Sequence, residues 1–173
     1  EEDQRVQDGS WEAVDAILDQ VMTDPVFYDR LREIYNDKFL TDRYYGGTQA
    51  IDLLDYEEDD NGNPSGDFPD AYWFDSLPEG EERDRAAEWS NNGVARQPLE
   101  LLVHIVKNDL PYTELLTADY TMVNPYSAKS LGVDASFSND EDYTEFVPAK
   151  IPGLPHAGAL TSVVYLNRFP TTD

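Results

Sequence analysis

From Trp11 to Phe39 the apolar residues repeat at helical spacing, and that periodicity limits this part of the chain to helices. Trp11, Val14, Ile17, Leu18, Val21 and Met22 form one stripe, with Ser10 placed to cap it. Asp24-Pro25 reads as an N-cap followed by proline at the first helical position, and Phe27, Leu31, Ile34 and Tyr35 carry a second stripe. The short junction between the stripes predicts two helices packed on each other.

Gly46-Gly47 then breaks the chain, and Thr48 stands ready to cap a short helix through Ala50, Leu53 and Leu54. Between Asp55 and Gly80 periodicity is lost. The run from Asp55 to Asp67 is acidic and rich in turn formers, and Tyr72-Trp73-Phe74 follows as an aromatic cluster. A long surface loop anchored by those rings is expected, and long loops in compact domains are candidate sites.

Glu81 to Trp89 reads as a helix stopped by Asn91-Asn92-Gly93. Gln97-Pro98 opens a new helix with Leu99, Leu102, Val103 and Val106 on one side, ending near Asn108. Pro111 opens a short helix, Asn124-Pro125 marks a turn, and Tyr126 to Leu131 makes a helical turn closed by Gly132. Phe146-Val147 and Val163-Val164-Tyr165 read as short strands. The expected fold is mainly α: an irregular helical domain over residues 1–150, with a long loop at 55–80 and a few short strands near the C-terminus. Residues 151–173 are expected to begin a neighbouring domain or to form a partner-docking tail.

Charge narrows the partners. Asp plus Glu number 36 against 12 Lys plus Arg, a formal net charge of −24. Such a surface repels phosphate backbones and anionic lipids, so nucleic acid is not an expected partner. Cations and basic proteins are natural companions. With 40% apolar and 12% aromatic residues the chain can build a core. It has no cysteine, which removes disulfides, thiolate chemistry and covalent haem attachment within this chain. The apolar runs are too short to span a bilayer. The opening Glu1-Glu2-Asp3 suggests a processed product.

Few residues point to chemistry. There is no G-x-S-x-G elbow and no H-E-x-x-H. His104 falls inside a helical stripe and reads as a core or groove histidine. His156 lies in the irregular Pro155-His156-Ala157-Gly158 and is the candidate cofactor-binding residue. Glu57, Asp59 and Asn61 fall at positions 1, 3 and 5 of a calcium loop, with Gly62 at position 6. Position 12, which needs a bidentate Glu, is Phe68, so the match is partial.

The run Pro98-Leu99-Glu100-Leu101-Leu102-Val103-His104-Ile105-Val106, continued through Leu110-Pro111-Tyr112 to Met122-Val123-Asn124, resembles an uncharacterised domain family. That family occurs in large exported proteins of planctomycetes, myxobacteria and related marine bacteria. Pro155-His156-Ala157-Gly158-Ala159-Leu160-Thr161-Ser162, through Arg168-Phe169-Pro170-Thr171-Thr172, looks like the start of the neighbouring domain in those proteins. Met22-Thr23-Asp24-Pro25 with Phe27 and Phe39-Leu40 fits the beginning of the arrangement, and the acidic loop lies outside it. These domains accompany c-type cytochrome modules and have no established activity, so the resemblance carries over no catalytic residue. It implies export to the periplasm or the extracellular space. It also implies haem in a contiguous or partner segment, and a parent protein running on past Asp173.

Three functions follow as expectations. The first is a non-catalytic binding or scaffold module of a cytochrome-associated electron-transfer assembly, with an apolar interface near the C-terminal segment. The second is an oxidative or hydrolytic enzyme domain acting on extracellular polymer, walled by the acidic loop and the His156 region. The third is a calcium-dependent surface protein.

Overall fold

The computed structural model describes residues 11–168; the expected Ser10 cap and the stretch 169–173 lie outside the described residues. The fold is mainly α. Helices α1 (Trp11–Met22) and α2 (Pro25–Phe39) form a hairpin. Asp24 caps α2 by accepting from Val26 N at 2.9 Å, with Pro25 in the first turn, as the dipeptide predicts. Leu40 ends α2 in the left-handed region at φ 55°, and its N–H bonds Asn36 O. Thr48 does not cap a helix side-on; its hydroxyl donates to Asp52, and residues Ile51–Leu53 form a 3₁₀ turn.

The loop at 55–80 carries a small antiparallel hairpin of β1 (Glu57–Glu58) and β2 (Pro64–Ser65). A 3₁₀ turn at Trp73–Ser76 follows and buries Phe74. The aromatic cluster therefore anchors the loop, as expected.

Helix α3 (Glu81–Lys107) is the axis of the molecule. It corrects the expectation of two helices separated at Asn91-Asn92-Gly93. Asn and Gly break helices by turning on their own backbone or by losing entropy. Here both asparagine side chains bond other elements instead. Asn91, fully buried, accepts from Ala50 N at 2.7 Å and donates to Tyr44 O at 2.6 Å. Asn92 Oδ1 accepts from Gly46 N at 3.0 Å. Gly93 is needed for close packing: a Cβ there would lie 2.5 Å from Asn124 Oδ1. Pro98 withholds one helical hydrogen bond, a loss that packing on all sides offsets.

Helix α3 packs against α2, α4 (Glu114–Thr117), β3 (Thr121–Val123), α5 (Pro125–Ser130) and α6 (Val163–Arg168). Asn124-Pro125 is a helix start, not only a turn. Asn124 Oδ1 accepts from Ser127 N at 2.7 Å while Ser127 Oγ accepts from Asn124 N at 3.0 Å, a capping box. Strand β3 pairs antiparallel with β4 (Val147–Ala149), Met122 opposite Pro148, so the strand expected at Phe146-Val147 begins one residue later. The strand expected at Val163-Val164-Tyr165 is helix α6 instead. A β-branched pair does not decide between helix and strand over so short a run.

Two apolar clusters flank α3. One gathers Ile51, Leu54, Phe68, Val94, Val123, Leu131 and Val164; the other gathers Phe39, Leu99, Leu102, Ile105, Leu115, Met122 and Ala159. Residues of the 151–168 segment thus sit in both. Gly158 N donates to Ala118 O and Ala159 N to Leu115 O, each at 2.8 Å. No helix among the described residues is long and apolar enough to cross a membrane.

Candidate functional site

A concavity opens between α2 and α3. It has a volume of about 330 Å³. Arg32, Glu33 and Asn36 enter it from α2, and Asn92, Gly93, Arg96 and Leu99 from α3. Tyr45, Asn124, Tyr143 and Phe146 close it.

Glu100, only 4% exposed, organises the charge. Arg32 grips it with two bonds, Nε to Oε1 at 3.0 Å and Nη2 to Oε2 at 2.9 Å. Arg96, one helical turn before Glu100, also donates to Oε1. Arg32 reaches Asp29 with its remaining arm at 3.0 Å. Burial works to lower the Arg32 pKa, but Glu100 and then Asp29 outweigh it, so the guanidinium is held above its usual value. Arg96 lies over the Phe146 ring, 5.3 Å from its centroid. Tyr143 stacks on Trp89, ring centroids 4.7 Å apart, which fixes the opposite wall.

A hydroxyl relay orients the polar wall. Thr41 Oγ1 donates to Asn36 Oδ1 at 2.8 Å, so its proton is committed and the Tyr45 hydroxyl donates to Thr41. Burial raises the Tyr45 pKa and keeps that hydroxyl protonated. Asn36 also accepts from Asp42 N. Its amide oxygen is thereby fixed on Thr41 and its Nδ2 is the group left for the cleft.

Sequence reasoning missed this site because its charged members are scattered over two helices and read as ordinary helix-surface residues. One signal was available: Glu100 lies between Leu99 and Leu101 in the most apolar run of the chain, where a carboxylate needs a cationic partner.

The residues singled out from sequence lie elsewhere. His104 sits half-buried on α3, its ring edge-on to Tyr120 at 5.8 Å and beside Asn108 Nδ2 at 3.3 Å. Burial lowers its pKa against the opposing pull of Glu114. His156 is half-buried in the segment before Gly158, and burial alone lowers its pKa. Neither lines the α2–α3 cleft. That cleft holds no His, Met or Cys.

Glu57, Asp59 and Asn61 lie together on the β1–β2 hairpin, and no group of three His, Cys, Asp or Glu that could hold a metal ion is found among the described residues. Asp59 turns inward on its own hairpin. It accepts from Asn63 Nδ2 at 2.9 Å and from the backbone amides of Asn63 at 2.9 Å and Asn61 at 2.8 Å. Those bonds, the Asn63 side chain first, lower its pKa to about 2. Because the folded value lies below the unfolded one, the hairpin is stabilised above the ordinary Asp range and loses that support as pH falls through about 2. In an NMR titration the Asn61 and Asn63 amide shifts should move with a midpoint near 2; a midpoint at the ordinary Asp value, about 3.9, would show these bonds absent in solution.

A second feature is apolar. Helix α1 makes its one substantial contact with α2 among the described elements. Val14, Leu18 (51% exposed) and Val21 face solvent on one side of it, and Val26 (68%) and Ile34 add exposed apolar surface on α2. Acidic Asp15, Asp19, Asp24 and Glu33 are exposed around them. By contrast, Leu160 and Leu166 are the exposed large apolar residues of the 151–168 segment.

No protein family, curated protein or solved structure that we compared with this chain matches it.

Proposed function

We propose that this chain is a non-catalytic binding module that recruits a partner protein through the α1–α2 hairpin. The observation that carries the reading is the exposed apolar stripe of α1, framed by carboxylates. Its occupant is an amphipathic helix of a partner whose apolar face is flanked by Lys or Arg. A second copy is a poor occupant, because each copy carries a net charge of −24. The family resemblance makes that partner a c-type cytochrome segment or subunit, and the setting an extracytoplasmic electron-transfer assembly. A c-type haem would lie in a contiguous or partner segment, since this chain has no cysteine to attach one.

The test uses two synthetic helical peptides with the same leucine stripe, one flanked by lysine and one by glutamate. By calorimetry the lysine peptide should bind and the glutamate peptide should not. Leu18→Asp, at an exposed position, should abolish binding without changing the circular dichroism. Equal binding of both peptides, binding of neither, or dimerisation of the chain alone in sedimentation would overturn the reading. The cytochrome assignment has its own readout: a complex purified through this chain should carry a c-type haem absorbance that Leu18→Asp removes.

A further inference from the structure

We infer that the α2–α3 cleft binds a small organic monocarboxylate with an aromatic or branched apolar body. Arg32, Arg96, Asn36 and Asn92 bring donors to it, and Glu33 is the one carboxylate in its lining. A guanidinium offers five N–H groups. Arg96 commits one arm to Glu100, and Arg32 keeps part of its set after bonding Glu100 and Asp29. Asn36 and Asn92 both have their amide oxygens engaged, on Thr41 and on Gly46 N respectively, which leaves their Nδ2 groups as the donors they can offer the cleft. Asn124 is fully used, its Nδ2 on Trp89 O and Tyr143 O and its oxygen on the start of α5, so it serves as wall and not as ligand.

Charge sets the valence of the guest. Arg32 and Arg96 share the buried Glu100, and Arg32 also holds exposed Asp29, so Arg96 is the guanidinium without a carboxylate of its own. Exposed Asp29 and Glu33 stand at the mouth, on Arg32 and Arg30, and disfavour a doubly charged phosphate. A single carboxylate matches the planar fork of arginine that Arg96 leaves open. The apolar part of the lining is Leu99, Phe146 and Tyr143, which suits a ring or a branched alkyl group. At about 330 Å³ the cleft takes a ligand of one ring and a short chain, and not a polymer.

The chemistry admits two sources, a free acid or the C-terminal carboxylate of a peptide ending in an aromatic residue. The experiment is a calorimetric titration of the whole chain with phenylacetate, with its neutral analogue phenylacetamide, and with a decapeptide ending in phenylalanine. Phenylacetate should bind at least tenfold more tightly than phenylacetamide. Arg96→Gln, which leaves the two-pronged Arg32–Glu100 contact in place, should weaken phenylacetate at least tenfold. Asn36→Asp keeps the acceptor for Thr41 and sets a carboxylate in place of the donor, so it should do the same by repulsion. Tighter binding of phenylacetate than of the decapeptide assigns the free acid, and the reverse overturns the small-ligand assignment. Equal affinity for acid and amide, or no binding of phenylacetate in the millimolar range, overturns the site itself. None of these outcomes depends on the α1 stripe, so the result stands apart from the partner-docking test.

Discussion

Gly158→Ala should lower the unfolding free energy by about 3–5 kcal/mol, a combination of backbone strain and overpacking. Gly158 has a φ of +53°, in the left-handed region that a side chain rarely adopts. A Cβ there would strike the Leu115 carbonyl, lying 2.6 Å from its carbon and 2.9 Å from Glu114 O. Those atoms are backbone at α4, so no rotamer change relieves the clash. Alanine would have to push the 157–159 segment off α4 and break the bonds to Ala118 O and Leu115 O. Ala159 and Val164, both buried, would lift with it. Each kcal/mol shifts the melting temperature of a domain this size by roughly 2–4 °C. Gly153→Ala is the internal control: its φ is +79°, but nothing lies within 4 Å of its Cβ position. Calorimetric melting of both variants decides the matter. Equal losses would mean that strain alone acts and that the segment is not docked as described.

The same segment shows what the sequence could and could not say. Capped, amphipathic pieces were legible, because the signal is local: Asp24-Pro25 opens α2, and Gly132 at φ 62° follows α5. The mainly α class follows from those stripes. The break at Asn91-Asn92-Gly93 was misread because local propensity and tertiary demand oppose each other there. Asn91 is held in the helix by Ala50 and Tyr44, partners more than forty positions away, and Gly93 by the close approach of Asn124. The turn at Asp59 was legible from its composition, and the calcium-loop reading draws on the same residues. Asx turns and calcium loops use the same residues, and only the direction of the carboxylate distinguishes them. The arginine cleft was legible only as a carboxylate, Glu100, set in an apolar run one turn after Arg96. Arg32 and Glu100 are 68 positions apart, and nothing local to either predicts the meeting.

Glu100→Gln is expected to destabilise the chain by roughly 3 kcal/mol, the low end of the range for breaking a buried ion pair. The glutamine is the same size, so no cavity forms. It can accept at one oxygen, but it presents an amide NH₂ where Arg32 Nη2 or Arg96 now donates. Two guanidiniums then face each other without a shared anion. Each keeps a quarter of its side-chain surface in water, which limits the loss. Replacing all three residues together, Arg32→Met, Glu100→Leu and Arg96→Leu, should recover most of the lost stability, because a packed apolar trio avoids desolvating charge. Denaturant unfolding of the single and triple variants measures both effects. A triple variant as stable as the parent yet unable to bind phenylacetate would separate the two roles of the triad. Its charges would then serve recognition in the cleft, and its contribution to the fold would be one that ordinary packing can replace.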